Sequence, residues 1–405
     1  MPTGPALTPG LFPRSIKAGT GHVVVGPMQD SSMWLPDRHS DTAQQSAGFH
    51  RLFDILSDQG YLLLRGLLSP TKVAAARARI TDHLDQSGFL KPGAPKDEAA
   101  IDMDRYRSDM LRPGLLERQE LAHQEPLLDL FEDPRLYWLF QGLYLAWDSV
   151  ARSEREGPEQ IYPDPKRRRL DLVSEQEPFE DNRAAQRDAS PGSDNVNDSD
   201  SDDDADEECD DDDDDNGGGE RDDDDDADGD GEDNGSCRAP CGPSADISTE
   251  PRWGIKTLPF KWLRAVGPDL FTGPHLDRVY LSSRSPRLLT AWIPLGAIAI
   301  EMGSLMVVPG SNSSPQFHPL RTNYGASSVG KDGTASGWIA SDPNEIEGKT
   351  GLPQDTVQWL GADYQPGDVC IIGLDVLHMT STNTTDRWRI SCDTRWFPAG
   401  DPSPF

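Results

Sequence analysis

Long apolar runs are absent from this sequence of 405 residues. No stretch approaches the roughly 18 consecutive apolar residues that identify a membrane-spanning helix. The first 25 residues also lack the charged start and apolar core of a secretory signal peptide. We therefore expect a soluble intracellular protein, cytoplasmic or nuclear, that has no membrane partner.

Cysteine is scarce, with five residues at spacings that match no disulfide framework. An odd number of cysteines without such spacing indicates reduced thiols inside a cell. Cys237 and Cys241 lie close together, but neither a second pair nor a nearby histidine completes a zinc site around them. We therefore do not expect disulfides or structural zinc to hold the fold together.

Basic residues are fewer than acidic residues. The chain has 38 Lys and Arg and 70 Asp and Glu, so its net charge is −32. Most of the excess lies between Asp194 and Asp233, where 25 acidic residues accompany one basic residue. The rest of the chain carries only −8, an ordinary value for a soluble enzyme. Because an acidic tract repels phosphate, we do not expect it to bind nucleic acid.

Residues 150–250, which surround the acidic tract, contain few long apolar side chains. Such a segment cannot bury enough apolar surface to offset its ordering entropy, so we predict a disordered insert. Its acidic tract is interpreted as a solubilising spacer, as a binding segment for a basic protein partner or as a loose chelator of divalent cations. The basic cluster Lys166–Arg169 is typical of nuclear-import signals, of nucleic-acid-binding clusters and of solvated charge runs.

Helical patterns precede the insert, and strand patterns follow it. Apolar residues recur at helical spacing from Phe49 to Leu56. Ser69-Pro70 predicts a helix start, because serine can cap free N–H groups and proline fits the first turn. After the insert, short β-branched and aromatic runs alternate with turn residues, as in an antiparallel sandwich or barrel. The predicted parts are an irregular or disordered lead, a helical N-terminal part of the folded domain, the insert and a β-rich core, at residues 1–44, 45–149, 150–250 and 251–400.

A candidate metal site starts from His275 and Asp277 in the sequence TGPHLD. Side chains two residues apart on a strand point to the same face, so this imidazole and carboxylate can meet one ion. His378 follows the apolar run DVCIIGLDVL and is a candidate third ligand from another strand. Two histidines and one carboxylate leave coordination positions open, as non-haem iron(II) requires. For His275 and Asp277 alone, a polar turn at a strand end is the alternative interpretation.

The strand-like run RWRISCDTRW, which follows His378, begins with basic residues. Arg389 lies eleven residues after His378, and its planar guanidinium matches a carboxylate. We expect Arg389 to bind the far carboxylate of a 2-oxo-dicarboxylate whose other end chelates the iron. Arg387 would share the same face and is the rival for this role. A surface position on an edge strand is the alternative for Arg389.

In their order, these segments resemble the phytanoyl-CoA dioxygenase family. The resemblance covers roughly residues 251–397, and residues 46–95 are similar to the lead-in common in that family. The segments that carry it are HLD, LLTAWIPL, EMGSLMVVPGS, QPGDVCIIGLDVLH and RISCDTRW. The acidic insert departs from the family pattern, which leaves the role of residues 150–250 open.

The resemblance implies a mainly β fold with flanking helices, built as a double-stranded β-helix (jelly-roll, cupin-like) barrel. It places His275, Asp277 and His378 on the iron ligands. It also places Arg389 on the arginine that binds 2-oxoglutarate, which favours Arg389 over Arg387.

Further pocket residues follow from the same resemblance. Trp292 falls on a pocket-lining aromatic, although a core tryptophan is the alternative, and Thr380 falls where a hydroxyl helps to hold the cosubstrate. Three more basic residues are candidates for facing the pocket, with no sequence argument to choose between them: Lys256, Lys261 and Arg264.

The residues and the resemblance together predict a non-haem iron dioxygenase that depends on Fe(II) and 2-oxoglutarate. It would use O₂ to hydroxylate a small organic substrate and release succinate and CO₂. Related halogenases lack the carboxylate that Asp277 supplies, so the resemblance favours hydroxylation. The alternative is a non-catalytic protein on an oxygenase-like scaffold, whose acidic tract binds histones or other basic partners. The substrate is left open, and a monomer is the default oligomeric state.

Overall fold

The computed structural model describes residues 12–109, 112–156, 254–281, 285–327, 329 and 337–403. These residues belong to one compact unit. Most of the predicted insert at 150–250, with the basic cluster Lys166–Arg169 and the pair Cys237 and Cys241, lies outside these ranges. No helix within them is both long enough and apolar enough to cross a membrane.

The first helix, α1 (Thr42–Gln59), has a defined start and end. The Asp41 carboxylate caps it by accepting a hydrogen bond from the Gln44 N–H at 2.8 Å. Gly60 ends it in the left-handed conformation, with φ of 81°. The buried residues are those that the helical spacing predicts: Phe49, Leu52, Phe53 and Leu56.

A buried strand and a second helix come next. Strand β3 (Tyr61–Leu64) is buried along its whole length, and α2 spans Pro70–Gln86. The predicted start at Ser69-Pro70 is confirmed in position, but the Ser69 side chain makes no capping hydrogen bond. Proline still suits this first turn, because its missing N–H would have no partner within the helix.

The longest helix in the described part, α6 (Pro134–Glu156), covers one sheet. Its Phe140 stacks on Trp396 at 4.7 Å between ring centroids, and the Tyr144 hydroxyl donates to the Trp396 carbonyl at 2.7 Å. The helix continues to Glu156, past the predicted boundary at residue 149, because its last turns contain good helix formers such as Ala and Arg. The remaining α-helices of this part are α3 (Met103–Asp109), α4 (Gln119–Ala122), α5 (Leu127–Phe131), α7 (His318–Thr322) and α8 (Ile346–Thr350).

The N-terminal lead, predicted as irregular over residues 1–44, contains two strands. β1 (Arg14–Ala18) and β2 (Gly21–Pro27) form an antiparallel hairpin. The prediction is wrong here because it relied on the overall composition of the segment. A short alternation of buried and exposed residues, with Val23 and Val25 buried and Val24 exposed, forms a strand within it.

Two sheets make up the β core. The first has the order β1-β2-β8-β7-β10, and the second has the order β3-β9-β6-β11-β4, with β5 also paired to β11. The strands beyond β3 are β4 (Ile255–Thr257), β5 (Trp262–Val266), β6 (Leu289–Pro294), β7 (Leu305–Val307), β8 (Trp359–Gly361), β9 (Val369–Gly373), β10 (His378–Thr380) and β11 (Arg389–Pro398). The mainly β fold with flanking helices is confirmed, and the two sheets form the double-stranded β-helix. A cavity between them is lined from both sides, for example by His378 of β10 and Arg389 of β11.

Candidate active site

Two backbone hydrogen bonds place His275 opposite His378. The His275 N–H donates to the His378 carbonyl at 3.0 Å, and the His378 N–H donates to the His275 carbonyl at 3.1 Å. This antiparallel bridge ties the chain before β6 to the first residue of β10. The two imidazoles therefore leave the backbone side by side, with ring centroids 4.2 Å apart.

Asp277 reaches the same point by a different route from the predicted one. The sequence pattern places His275 and Asp277 on one strand, whereas the structure has an isolated bridge at His275 and a 3-10 turn that begins at Asp277. Only Leu276 between them is extended, with φ −105° and ψ 135°. One extended residue is enough to put both side chains on the same side, so the expected proximity holds without the expected strand.

Hydrogen bonds orient both imidazoles. Nδ1 of His275 lies 2.8 Å from the Gly273 carbonyl, and Nδ1 of His378 lies 2.8 Å from the Val376 carbonyl. Because a carbonyl oxygen only accepts, each Nδ1 carries a proton, and each Nε2 is the ring nitrogen left to face an ion. Both Nε2 atoms lie 3.7 Å from Oδ1 of Asp277.

The other carboxylate oxygen of Asp277 is engaged by the protein. The Thr290 hydroxyl donates to Oδ2 at 2.8 Å, and Nη2 of Arg395 lies 3.3 Å from the same atom and 3.5 Å from Oδ1. Asp277 is 3% exposed, so these contacts form in a buried environment. With Oδ2 held, Oδ1 is the oxygen that faces the two histidines.

Protonation also suits a metal ion. Burial lowers the pKa of His378 to about 4, so this imidazole is neutral at physiological pH. Burial alone would raise the pKa of Asp277, but Arg395 and the two histidines hold it well below its usual range. Metal ligands must be deprotonated. The three donor atoms lie within 4.8 Å of one another, and two histidines with one carboxylate form the set that suits Fe(II).

The cavity beside the triad contains Arg389. This residue is 1% exposed and contacts the Ser391 hydroxyl through Nη1, while its Nε has no hydrogen-bond partner among the described residues. Burial, and then the nearby Arg264, lower the pKa of Arg389 to about 9, which leaves the guanidinium charged at neutral pH. The rival Arg387 is absent from the cavity wall and pairs with Glu98 at 3.4 Å on the surface.

Thr380 and Trp292 also line the cavity. The Thr380 hydroxyl accepts a hydrogen bond from the Thr272 N–H at 2.8 Å, so its own proton is available to a ligand. The Trp292 ring is 4% exposed and lies 4.7 Å from the Tyr364 ring. Trp292 is therefore both a core residue and a cavity residue, which makes the two sequence interpretations compatible.

The three further basic candidates have different surroundings. Arg264 lines the cavity, Lys261 is fully buried in an ion pair with Glu132 at 2.9 Å, and Lys256 is exposed.

Sequence reasoning missed several residues of the cavity wall, among them Thr290, Asp393 and Arg395. The alternation of RISCDTRW indicates two of them, since Asp393 and Arg395 lie four and six residues after Arg389 on the same strand. Thr290 gives no comparable indication, because it lies within an apolar strand.

Comparison with known proteins finds a family model that matches part of the chain. The family model for phytanoyl-CoA dioxygenase matches residues 201–391, a range that contains the triad and Arg389. No curated protein matches the chain.

Solved structures give weaker likenesses. The epimerase SnoN from nogalamycin biosynthesis, in complex with Fe3+, alpha ketoglutarate and nogalamycin RO, is 13% identical with a TM-score of 0.41, over 88% of this chain and 86% of its own. The carbocyclase SnoK from nogalamycin biosynthesis is 15% identical with a TM-score of 0.39, over 92% and 87%. EvdO2 from Micromonospora carbonacea var. aurantiaca, complexed with 2-oxoglutarate, is 14% identical with a TM-score of 0.33, over 88% and 94%.

Thr290→Val tests how Asp277 is held. Valine keeps the shape of the side chain but removes the hydrogen bond to Oδ2, so we expect metal affinity to fall about tenfold, as for other residues that orient metal ligands. Calorimetric titration of the full chain with Mn(II), a stand-in for Fe(II), measures this change. Thr350→Val is the matched control, because Thr350 is a buried threonine in α8 that bonds only to the Ile346 carbonyl at 2.7 Å. Equal Mn(II) affinities of the two variants would contradict the role of Thr290.

Proposed function

We propose that this chain, whose residues 201–391 match the family model for phytanoyl-CoA dioxygenase, is an Fe(II)- and 2-oxoglutarate-dependent oxygenase. In this proposal His275, Asp277 and His378 hold the iron. The observation that carries it is the convergence of three buried donor atoms on one point of the cavity wall. A scaffold without catalytic function has no need of such a group.

The residues of the chain would hold the metal from one side. Two imidazoles and one carboxylate oxygen occupy three coordination positions and leave the others to ligands. Thr290 donates to Oδ2 of Asp277, which favours coordination through Oδ1, and Arg395 lies against both carboxylate oxygens. When bound, Fe(II) and 2-oxoglutarate supply the oxidising chemistry, in which O₂ is consumed and 2-oxoglutarate becomes succinate and CO₂.

Arg389 is proposed to bind the far carboxylate of 2-oxoglutarate. Its guanidinium is buried, lies on the cavity wall and forms no ion pair with a carboxylate of the described residues at hydrogen-bond distance. A buried charge without such a partner is costly, so an anionic ligand would stabilise it. The Thr380 hydroxyl lines the same cavity and would donate a further hydrogen bond to this carboxylate. Trp292 would form part of the wall of the same cosubstrate pocket.

Hydroxylation of a small organic substrate is the proposed reaction. The resemblance supports it through Asp277, which occupies the position that related halogenases leave to a halide. We expect a screen of small molecules to identify compounds that stimulate succinate release from the iron-loaded full chain. Mass spectrometry of those reactions should find a product with one added oxygen atom. A rearranged product without added oxygen would contradict hydroxylation and leave the cofactor assignment intact.

The metal ligands are tested by single substitutions. Asp277→Ala and His378→Ala each remove one of three donors, so we expect both Mn(II) binding and 2-oxoglutarate-dependent succinate release to fall at least about a hundredfold. Calorimetry measures the first quantity, and an enzymatic succinate assay measures the second. Asp375→Ala is a control, because Asp375 pairs with Arg278 outside the cavity wall. Succinate release that is retained by either variant would contradict the assignment of these residues as metal ligands.

The cosubstrate anchor is tested by comparing two neighbouring arginines. Arg389→Ala should weaken 2-oxoglutarate binding by about tenfold to a hundredfold, because a hydrogen bond to a charged group contributes roughly 1.5–3 kcal/mol. Mn(II) affinity should change little, since the hydrogen bond of Arg389 goes to Ser391 and none joins it to the triad in the described part of the chain. Arg387→Ala, at the surface, should bind 2-oxoglutarate like the unchanged chain. If Arg387→Ala shows the loss instead, Arg389 is not the anchor.

A further inference from the structure

A second cluster of charged side chains lies beside the triad. Asp393 and Arg395 of β11 and Arg264 of β5 all line the cavity. None of the three has a role in the proposed binding of 2-oxoglutarate. We call them the Arg264–Asp393–Arg395 cluster.

Arg395 is the most deeply buried member, with 5% of its side chain exposed. Its Nη2 lies 3.3 Å from Oδ2 of Asp277 and 3.8 Å from Oδ2 of Asp393. The Trp262 ring covers its guanidinium, with the central carbon 4.7 Å from the ring centroid. Its Nε and Nη1 are buried and have no hydrogen-bond partner among the described residues. Arg395 therefore has two donors that the folded chain leaves unused.

Arg264 lies on the more open side of the cluster, with 30% of its side chain exposed. Its backbone pairs with Ser391 in the β5–β11 register, and its Nη1 contacts Oδ2 of Asp393. The same carboxylate oxygen thus serves both arginines, while Oδ1 of Asp393 has no hydrogen-bond partner among the described residues. One carboxylate is shared between two guanidinium groups.

The charges of the cavity wall do not balance. Arg264, Arg389 and Arg395 contribute three positive charges, and Asp277 and Asp393 contribute two negative charges. The imidazoles are neutral as metal ligands. The charges of bound Fe(II) and of the 2-oxoglutarate dianion would cancel. One positive charge would therefore remain in excess when both are bound. A buried excess charge is costly, and a singly charged anion would remove that cost.

We propose that Arg264 and Arg395 bind a carboxylate group of the substrate, so that the enzyme acts on a small organic acid. This inference rests on the proposed function, because it takes Arg389 as occupied by 2-oxoglutarate. A carboxylate is favoured over a phosphate ester, because its single negative charge equals the excess positive charge whereas the phosphate dianion exceeds it. Arg264, nearer the opening, would meet the carboxylate first, and the unused donors of Arg395 lie deeper.

Fluorine-19 NMR can detect this site without knowledge of the substrate. The full chain is loaded with Zn(II), a diamagnetic stand-in for Fe(II), and saturated with 2-oxoglutarate so that Arg389 is occupied. Three probes are then titrated: trifluoroacetate, the neutral trifluoroacetamide and the dianion fluorophosphate. We expect saturable line broadening of trifluoroacetate with an affinity at least about tenfold above that of either other probe.

Arg264→Gln should lower trifluoroacetate affinity about tenfold, because it removes a charge-assisted hydrogen bond. Arg387→Gln is the matched control and should bind trifluoroacetate like the unchanged chain, since Arg387 lies on the surface beside Glu98. Equal binding of trifluoroacetate and trifluoroacetamide to the unchanged chain would overturn the proposal, as would trifluoroacetate binding that survives Arg264→Gln. Tighter binding of fluorophosphate would overturn the carboxylate assignment.

Calorimetric titration with 2-oxoglutarate separates this proposal from the proposed function. Arg264→Gln should bind 2-oxoglutarate within about twofold of the unchanged chain, because Arg389 is intact. A chain that binds no 2-oxoglutarate would contradict the proposed function. Normal 2-oxoglutarate binding together with trifluoroacetate binding that does not depend on Arg264 would overturn only the substrate site.

Discussion

The pair of backbone hydrogen bonds between His275 and His378 is the constraint on which the site depends. These residues are far apart in sequence, and the antiparallel bridge joins their two segments at one point of the barrel. The carbonyls of Gly273 and Val376 then set the orientation of both imidazoles. Since each of these contacts uses the backbone, the geometry follows from the fold and leaves the Nε2 atoms free for a ligand.

Strand β11 supplies charged side chains to the cavity wall. Its inward positions hold Arg389, Ser391, Asp393 and Arg395, at the two-residue period of a strand. The proposed cosubstrate anchor Arg389 and two members of the Arg264–Asp393–Arg395 cluster therefore lie on one strand, and the backbone sets the distance between them. Arg395 connects the proposed metal site with the proposed substrate site, because its guanidinium contacts Asp277 and also belongs to the Arg264–Asp393–Arg395 cluster.

Local patterns were sufficient for part of this arrangement. The spacing of His275, Asp277 and His378 and the strand-like run before His378 indicated that they would meet, and the structure brings them together, while their role as ligands stays a prediction. The hairpin of β1 and β2 was missed because a composition rich in Pro and Gly concealed its short alternation. The position of Arg264 depends on the register between β5 and β11, which no local pattern determines, so the sequence could only name it beside two lysines.

The central claim is that one iron ion and one 2-oxoglutarate bind together at the triad. Anaerobic titration of the full chain with Fe(II) in the presence of 2-oxoglutarate, followed by visible charge-transfer absorption, tests it directly. The account predicts absorption that requires both components and saturates at one Fe(II) per chain. Absorption that does not appear, or that is unchanged when 2-oxoglutarate is omitted, would contradict it.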